Sequence, residues 1–199
     1  MNGTALLDSA LDELLERIRP VLAVVQNGRR GAGAGVLAGD GLVITNLHVV
    51  GRARSLQVLL YDDTQYEAHV VATDPKVDLA LLQIPQNGHA AAVFSSGNPR
   101  PGELVYAFGH PWGSRNVLTG GVLSAVTSLR TRKGLVPILR ADVQLAPGNS
   151  GGPLLNAAGE VLGLNSMIFG GDQSVAIPAS LIRSFLAGAR TDKLPEAVL

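Results

Sequence analysis

The sequence contains no cysteine. That excludes disulfides, thiolate catalysis and cysteine-ligated metal, and it leaves the redox compartment open. It also lacks an excess of either charge: 16 Lys and Arg balance 16 Asp and Glu. A chain of zero net charge offers no overall attraction to nucleic acid or to an anionic membrane surface, so neither is expected as a partner. No apolar run approaches the roughly 20 residues that span a bilayer. The opening Met1-Asn2-Gly3-Thr4 lacks the basic and apolar regions of a signal peptide. Read as the natural start, it places the chain in the cytoplasm; if a leader preceded it, the periplasm. Low-complexity segments and long internal repeats are missing too. With 46% hydrophobic and 16% charged residues, 199 residues suffice for a packed core and exclude wholesale disorder.

The chain begins with helical periodicity. Thr4 can cap a helix whose apolar residues are Leu7, Leu11, Leu14, Leu15 and Ile18, ended by Pro20. From Val21 short β-rich runs take over, separated by Gly, Pro, Asn and Asp. The first series is expected near Val21–Gln26, Ala34–Ala38, Leu42–Thr45, Ser55–Tyr61, Gln65–Thr73 and Leu79–Ile84, with Gly39-Asp40-Gly41 as a tight hairpin turn. The second is expected near Glu103–Phe108, Val117–Val126, Leu135–Val143, Pro153–Leu155, Glu160–Ile168 and Ser174–Ile177. The predicted fold is all-β: two six-stranded antiparallel β-barrels between an N-terminal and a C-terminal helix. The parts are residues 1–20 for the first helix, 21–86 for the first barrel, 87–101 for a connector, 102–178 for the second barrel and 179–199 for the closing helix and tail. Pro178 introduces that helix, with Leu181, Ile182, Phe185 and Leu186 on one face and Gly188 as its stop.

The chemistry centres on Pro147-Gly148-Asn149-Ser150-Gly151-Gly152-Pro153. Serine among glycines, with a proline on each side, suits a turn that holds a side chain outward while aiming backbone N–H groups into one small space. A serine nucleophile needs that arrangement. By itself a glycine-rich turn is usually only a turn. A lone histidine such as His48, where the third strand ends, is more often structural; an aspartate such as Asp78, before the apolar run Leu79-Ala80-Leu81-Leu82, is more often a cap. In combination the three residue types make sense. Histidine titrates near neutrality and can take the serine proton, then return it to a leaving amine. An aspartate fixes the imidazole tautomer and stabilises the imidazolium. Asp74 is the alternative acid. His69 and His89 are expected to be structural or solvated, and His110 belongs to a Gly-rich turn with no plausible acid partner in the sequence.

Further stretches carry a family resemblance: Gly41-Leu42-Val43-Ile44-Thr45-Asn46 leading into His48-Val49-Val50, then Asp78-Leu79-Ala80-Leu81-Leu82, Gly109-His110-Pro111-Trp112-Gly113 and Ala141-Asp142. Pro147 to Asn156, Gly159-Glu160-Val161-Leu162-Gly163-Leu164-Asn165 and Ala176-Ile177-Pro178 complete it. With the order His, Asp, Ser, these resemble the trypsin-like serine proteases and, among them, the HtrA/Deg branch. The resemblance implies an endopeptidase acting without metal or cofactor on unfolded or damaged polypeptide, with the active site between the barrels. It implies an oxyanion hole from Gly148, Asn149 and Ser150, with the peptide beside Asn149 able to switch between active and inactive orientations. It also implies substrate pairing along Leu164-Asn165-Ser166. Gln144 stands six before the serine, where enzymes cutting after Lys or Arg carry aspartate. A neutral pocket there argues against cleavage after basic residues, and the resemblance to HtrA-like enzymes, whose pockets are small and apolar, implies Val, Ala, Leu or similar before the scissile bond.

Three departures narrow what carries over. The loop with Arg29 and Arg30 is short where the branch often has a regulatory insertion. The sequence stops at Leu199, with no PDZ domain, so recruitment through one is not implied. The N-terminal segment has no aromatic residue, which leaves the family's homotrimer open, although the Leu-rich helix could substitute. Rival readings are a slow or latent protease fold that chiefly binds unfolded chains, a narrow processing protease, and a piece of a longer PDZ-bearing enzyme.

Overall fold

Alternating and continuous apolar runs resolve into two separate closed sheets. A computed structural model of the protein describes residues 3–28, 32–53, 56–85, 88–111, 114–166 and 174–191. Arg29, Arg30, Trp112, Gly113 and the tail beyond residue 191 lie outside those residues. The first barrel comprises β1 (Leu22–Gln26), β2 (Ala32–Gly39), β3 (Leu42–Asn46), β4 (Leu56–Leu59), β5 (Gln65–Asp74) and β6 (Leu79–Gln83), in the spatial order β1-β2-β3-β6-β5-β4. Every residue of β3 is buried, and only the last residue of β1 and of β6 is partly open. Strands covered on both faces read as unbroken apolar runs, which is why these three were the clearest in sequence. The β2–β3 hairpin turns through Asp40 and Gly41 at φ +55° and +70°, the pair of positive angles that a two-residue type I′ loop demands.

The second barrel comprises β7 (Leu104–Gly109), β8 (Val117–Thr131), β9 (Gly134–Asp142), β10 (Pro153–Asn156), β11 (Val161–Ser166) and β12 (Ser174–Pro178), ordered β10-β11-β12-β9-β8-β7. The expected architecture of two six-stranded antiparallel barrels is therefore the observed one. One strand differs in extent. β8 was expected to end near Val126 and instead continues to Thr131, because β9 starts at Gly134 and pairs with it out to the Thr131–Gly134 rung. The outer rungs project as a two-stranded arm whose tip is Arg132-Lys133.

Three helices accompany the barrels: α1 (Gly3–Ile18), the short α2 (Leu47–Val50) and α3 (Ala179–Thr191). α1 already includes Thr4, so that residue sits in the first turn rather than capping it. Its apolar stripe is used only at one end: Leu14 and Ile18 are buried, while Leu7 is 51% exposed. A Cβ added to Gly159 would come within 3.2 Å of Leu14 Cδ1, and Arg17 donates to the Ala158 carbonyl at 3.2 Å. A helix that enters the first barrel thus docks on the β10–β11 turn of the second. α3 runs through Gly188, which does not stop it. A glycine ends a helix by turning left-handed, and Gly188 keeps helical angles. The roughly 1 kcal/mol cost of a helical glycine is tolerable with Ile182 and Leu186 buried on the barrel.

Residues between the barrels are stitched to both. Ala92 N–H donates to the Leu37 carbonyl at 2.9 Å, Ser95 N–H to Val161 at 2.9 Å, and Val161 N–H to Val93 at 2.8 Å. Replacing Leu14 by Ala is expected to cost about 2–5 kcal/mol, the range for a buried leucine, whereas Leu7→Ala should stay within about 0.5 kcal/mol. Urea unfolding of the two variants checks this, and equal midpoints would contradict the docking of α1 through its C-terminal half.

Candidate active site

The corner that follows β3 is fixed by contacts from three directions. α2 is a single turn closed by Gly51, whose N–H donates to the Leu47 carbonyl at 2.9 Å. Asn27, just past β1, donates from Nδ2 to the Val49 carbonyl at 2.7 Å. The third anchor is Asp78. Its carbonyl accepts from Leu47 N–H at 3.0 Å and Asn46 Nδ2 at 3.1 Å, and its Oδ1 accepts from His48 N–H at 2.9 Å. Asp78 adopts φ +57°, a left-handed angle uncommon outside glycine, which aspartate tolerates better than most residues.

His48 and Asp78 meet directly. Nδ1 of His48 lies 2.6 Å from Asp78 Oδ2. An ionised carboxylate only accepts, so the proton of this hydrogen bond sits on Nδ1 and the Nε2 lone pair faces outward. Asp78 is 7% exposed, and Ser166 from the second barrel adds a donor, its hydroxyl 3.3 Å from Oδ2. Three donors on a buried carboxylate meet the requirement that buried charge be paired and hydrogen-bonded. Asp74, the other candidate acid, accepts from Lys76 N–H at 2.8 Å, an ordinary aspartate turn.

Ser150 comes to this corner from the other barrel. Its carbonyl accepts from Ala34 N–H on β2 at 2.8 Å. A Cβ at Gly33 would meet both the Val49 side chain, at 2.7 Å, and the Ser150 carbonyl, at 2.9 Å. The serine turn and the histidine turn therefore flank one glycine. Gly151, at φ +84°, lets the chain press against β2: a Cβ there would lie 2.1 Å from the Ala34 carbonyl and 2.3 Å from Thr45 Oγ1. Thr45 itself donates to the Ala34 carbonyl at 2.7 Å.

The loop before the serine is held as firmly. Gly148 has φ +110°, and a Cβ on it would sit 2.2 Å from the His110 carbonyl oxygen. His110 N–H donates to the Gly148 carbonyl at 3.3 Å, and Asn149 N–H donates to Ala146 at 2.9 Å. Both ends of the Gly148–Asn149 peptide are thus engaged. Gly151 N–H donates to Asn165 at 2.9 Å, and Asn165 N–H to Gly152 at 2.8 Å. Asn165 Nδ2 donates to the Pro153 carbonyl at 2.9 Å.

The residues expected to meet substrate divide accordingly. Leu164 and Asn165 are buried, with backbone paired to β12 and to the serine turn. Ser166 stands where β11 reaches Asp78. Gln144 is exposed, and its carbonyl accepts from Thr119 Oγ1 at 2.9 Å. The stretch 167–173, which follows Ser166, lies outside the described residues. Away from the corner, His69 is exposed on β5 and His89 stacks edge-on to Tyr66 at 6.0 Å.

Sequence reasoning passed over Thr45, expected Asn165 to pair with substrate rather than to hold the serine turn, and gave His110 no role. His110 is 4% exposed, its Nδ1 accepts from Asn116 N–H at 3.3 Å, and burial pushes its pKa down to about 4. The Ala23 carbonyl opposes that shift, and the positive charge of Arg115 adds to it. The only signal for the residue was its place in Gly109-His110-Pro111.

Two antiparallel barrels, with histidine and aspartate on one and a glycine-bounded serine on the other, define a two-barrel fold of the serine-hydrolase class. Comparisons with known proteins narrow this. Residues 33–164 match the model of the trypsin-like peptidase domain. A probable periplasmic serine endoprotease, DegP-like, from Marinomonas sp. (strain MWYL1) is 39% identical over 175 residues, which is 84% of this chain and 37% of the relative. The serine protease HTRA1 of Xenopus tropicalis is 33% identical over 192 residues, 88% of this chain and 42% of that protein. The crystal structure of the serine endoprotease from Yersinia pestis superposes with a TM-score of 0.80 at 29% identity, covering 91% of this chain and 66% of that one. The chain belongs to the trypsin-like peptidases, in their HtrA/Deg branch. It spans well under half the length of these two curated relatives.

The low pKa of His110 has a consequence for stability. Neutral in the fold down to about pH 4, it binds a proton near pH 6.5 once unfolded. The unfolded state therefore holds more protons between those values. Stability is full above pH 6.5 and falls as pH drops towards 4, by on the order of 3 kcal/mol. In His110→Asn this part of the loss should disappear, which thermal unfolding from pH 7 to 4 would reveal; parallel curves for the two proteins would refute it.

Proposed function

We propose that this chain is a serine endopeptidase domain that cleaves unfolded or damaged polypeptide through His48, Asp78 and Ser150. The observation that carries the reading is the grip of Asp78 on His48, by ring and by backbone, beside a glycine turn that presents a serine from the opposite barrel. In this mechanism the Nε2 lone pair of His48 takes the Ser150 hydroxyl proton as Oγ attacks the scissile carbonyl. Asp78 holds the ring in the required tautomer and stabilises the imidazolium. The N–H groups of Gly148 and Ser150 receive the oxyanion, each donor worth roughly 3 kcal/mol. The Gly148–Asn149 peptide, which lies between these two donors and is held at both ends, supports this assignment.

The imidazolium next protonates the leaving amine, giving an acyl-enzyme on Ser150. Water, deprotonated by His48, then releases the acid. Extended polypeptide suits such a site because it can add as a strand, its segment before the scissile bond meeting the end of β11 at Ser166, beyond the part of that strand already paired on both sides. Folded proteins seldom offer a free strand. The neutral Gln144 disfavours a basic residue before the cut, and the resemblance to HtrA-like enzymes points to a small apolar one there.

Labelling with a fluorophosphonate probe is expected to give a stoichiometric adduct on Ser150, located by mass spectrometry, and none in Ser150→Ala. Casein degradation should vanish in the same variant. Absence of an adduct in folded wild type would reject an activated serine. Asp78→Asn should lower kcat by about four orders of magnitude, since the imidazole then adopts the wrong tautomer. Near-normal turnover in that variant would reject the role of Asp78.

A further inference from the structure

A groove of about 850 Å³ opens at His48 and Asp78, and its remaining walls have no part in the proposed chemistry. One wall is the corner after β3, with Arg52. A second is the turn ahead of Asp78, with Lys76. The third is the tip of the β8–β9 arm, with Arg132 and Lys133. Both barrels therefore contribute, and four permanent cations surround one cavity. The single carboxylate in the lining is Asp78, which already has three donors. Lys133 reaches across and donates from Nζ to the Pro75 carbonyl at 2.6 Å, bracing the arm against the first barrel without neutralising its charge. Arg52, Lys76, Arg132 and Lys133 are all exposed. The described ion pairs of lysine and arginine belong instead to Arg17, Arg19, Arg100 and Arg115. In a chain whose charges balance overall, this is a local excess. Mutual repulsion of the four disfavours the empty groove, and an anionic occupant relieves it.

We propose that this groove takes acidic side chains of the substrate and makes the enzyme selective for acidic extended segments. The proposal rests on the endopeptidase reading, which brings the segment before the scissile bond to the Ser166 end of β11. That segment passes Ser166, which touches Asp78, and Asp78 lines the groove. Side chains of an extended chain alternate between faces. If the residue before the cut enters its own pocket in the second barrel, those two and four before the cut face the first barrel and the arm tip. Glu or Asp at these positions would reach Arg52, Lys76 and Arg132, all at the surface and so sensitive to salt.

Fluorogenic peptides with valine before the cut, and either Glu or Gln two and four residues before it, test this on the full chain. The Glu/Gln ratio of kcat/KM should be about tenfold at low salt and shrink in 0.5 M NaCl. It should fall in Lys76→Gln/Arg132→Gln, which keeps Arg52 and Lys133, and approach one in Lys76→Glu/Arg132→Glu, where two new carboxylates offset those cations. Because the ratio is internal to each enzyme, a general loss of activity cancels. Arg132→Gln alone, at the exposed arm tip, replaces any double variant that does not fold, and should lower the ratio. A wild-type ratio near one, or a ratio indifferent to these substitutions, overturns the proposal. Binding separates this from the chemistry. Anisotropy of the same peptides on Ser150→Ala should show about tenfold tighter Kd for the Glu peptide, and equal Kd values overturn the groove assignment. Failure of fluorophosphonate labelling would reject the activated serine while leaving that binding ratio to decide the groove.

Discussion

A buried carboxylate that must be satisfied organises this molecule. Asp78 is nearly out of water, and leaving its charge unpaired would cost several kcal/mol. The fold meets that demand with donors from the two barrels: the ring and backbone of His48, and the hydroxyl of Ser166. The Asp78 carbonyl is tied to the same corner through Leu47 and Asn46. Any movement of β6 relative to β3 would break this set together. The geometry of the histidine is thus a by-product of burying a charge well, and the left-handed angle of Asp78 is what aims both its ends at one turn.

The serine reaches that corner by close backbone approach rather than by side-chain packing. Ala34, Gly33 and Thr45 on the first barrel receive the Ser150–Gly151 peptide at distances that admit no side chain at Gly151. On the other side Asn165 holds the turn from β11, and His110 steadies the Gly148–Asn149 peptide. The active-site reading therefore depends on a seam between barrels being kept to a few tenths of an ångström. Docking of α1 on the β10–β11 turn, and the stitching through Ala92 and Ser95, reinforce the same seam farther out.

Much of this was legible in the sequence, for identifiable reasons. Strands such as β3 and β6 announce themselves because full burial demands unbroken apolar runs. The Asp40-Gly41 turn does so because few residues accept its angles. His48, Asp78 and Ser150 stood out because their types, order and glycine context form a chemical set. What sequence hid was tertiary in origin. Thr45 looks like an ordinary strand residue until the serine turn is laid against it, and Asn165, expected to meet substrate, is engaged with that turn. His110 looked idle because its contribution to the loop is made by backbone groups, which leave no trace in residue type. Gly188 misled because a glycine ends a helix only when it turns left-handed, and burial of Leu186 keeps the chain helical past it. The continuation of β8 past Val126 was missed because its own residues there are mostly polar or exposed, and the buried face of those rungs comes from Val136 and Ile138 on β9.

That arm has a further meaning for how such a protein diversifies. At its tip the two strands pair with each other, and the exposed Arg132-Lys133 turn touches the first barrel through Lys133 and the Pro75 carbonyl. Lengthening, trimming or recolouring the tip leaves the barrel's hydrophobic interior and the buried carboxylate untouched. Most positions near the centre are locked by mutual contacts, so a mutation there risks everything at once. The arm instead offers descendants of this chain a place where new tastes can be acquired one substitution at a time.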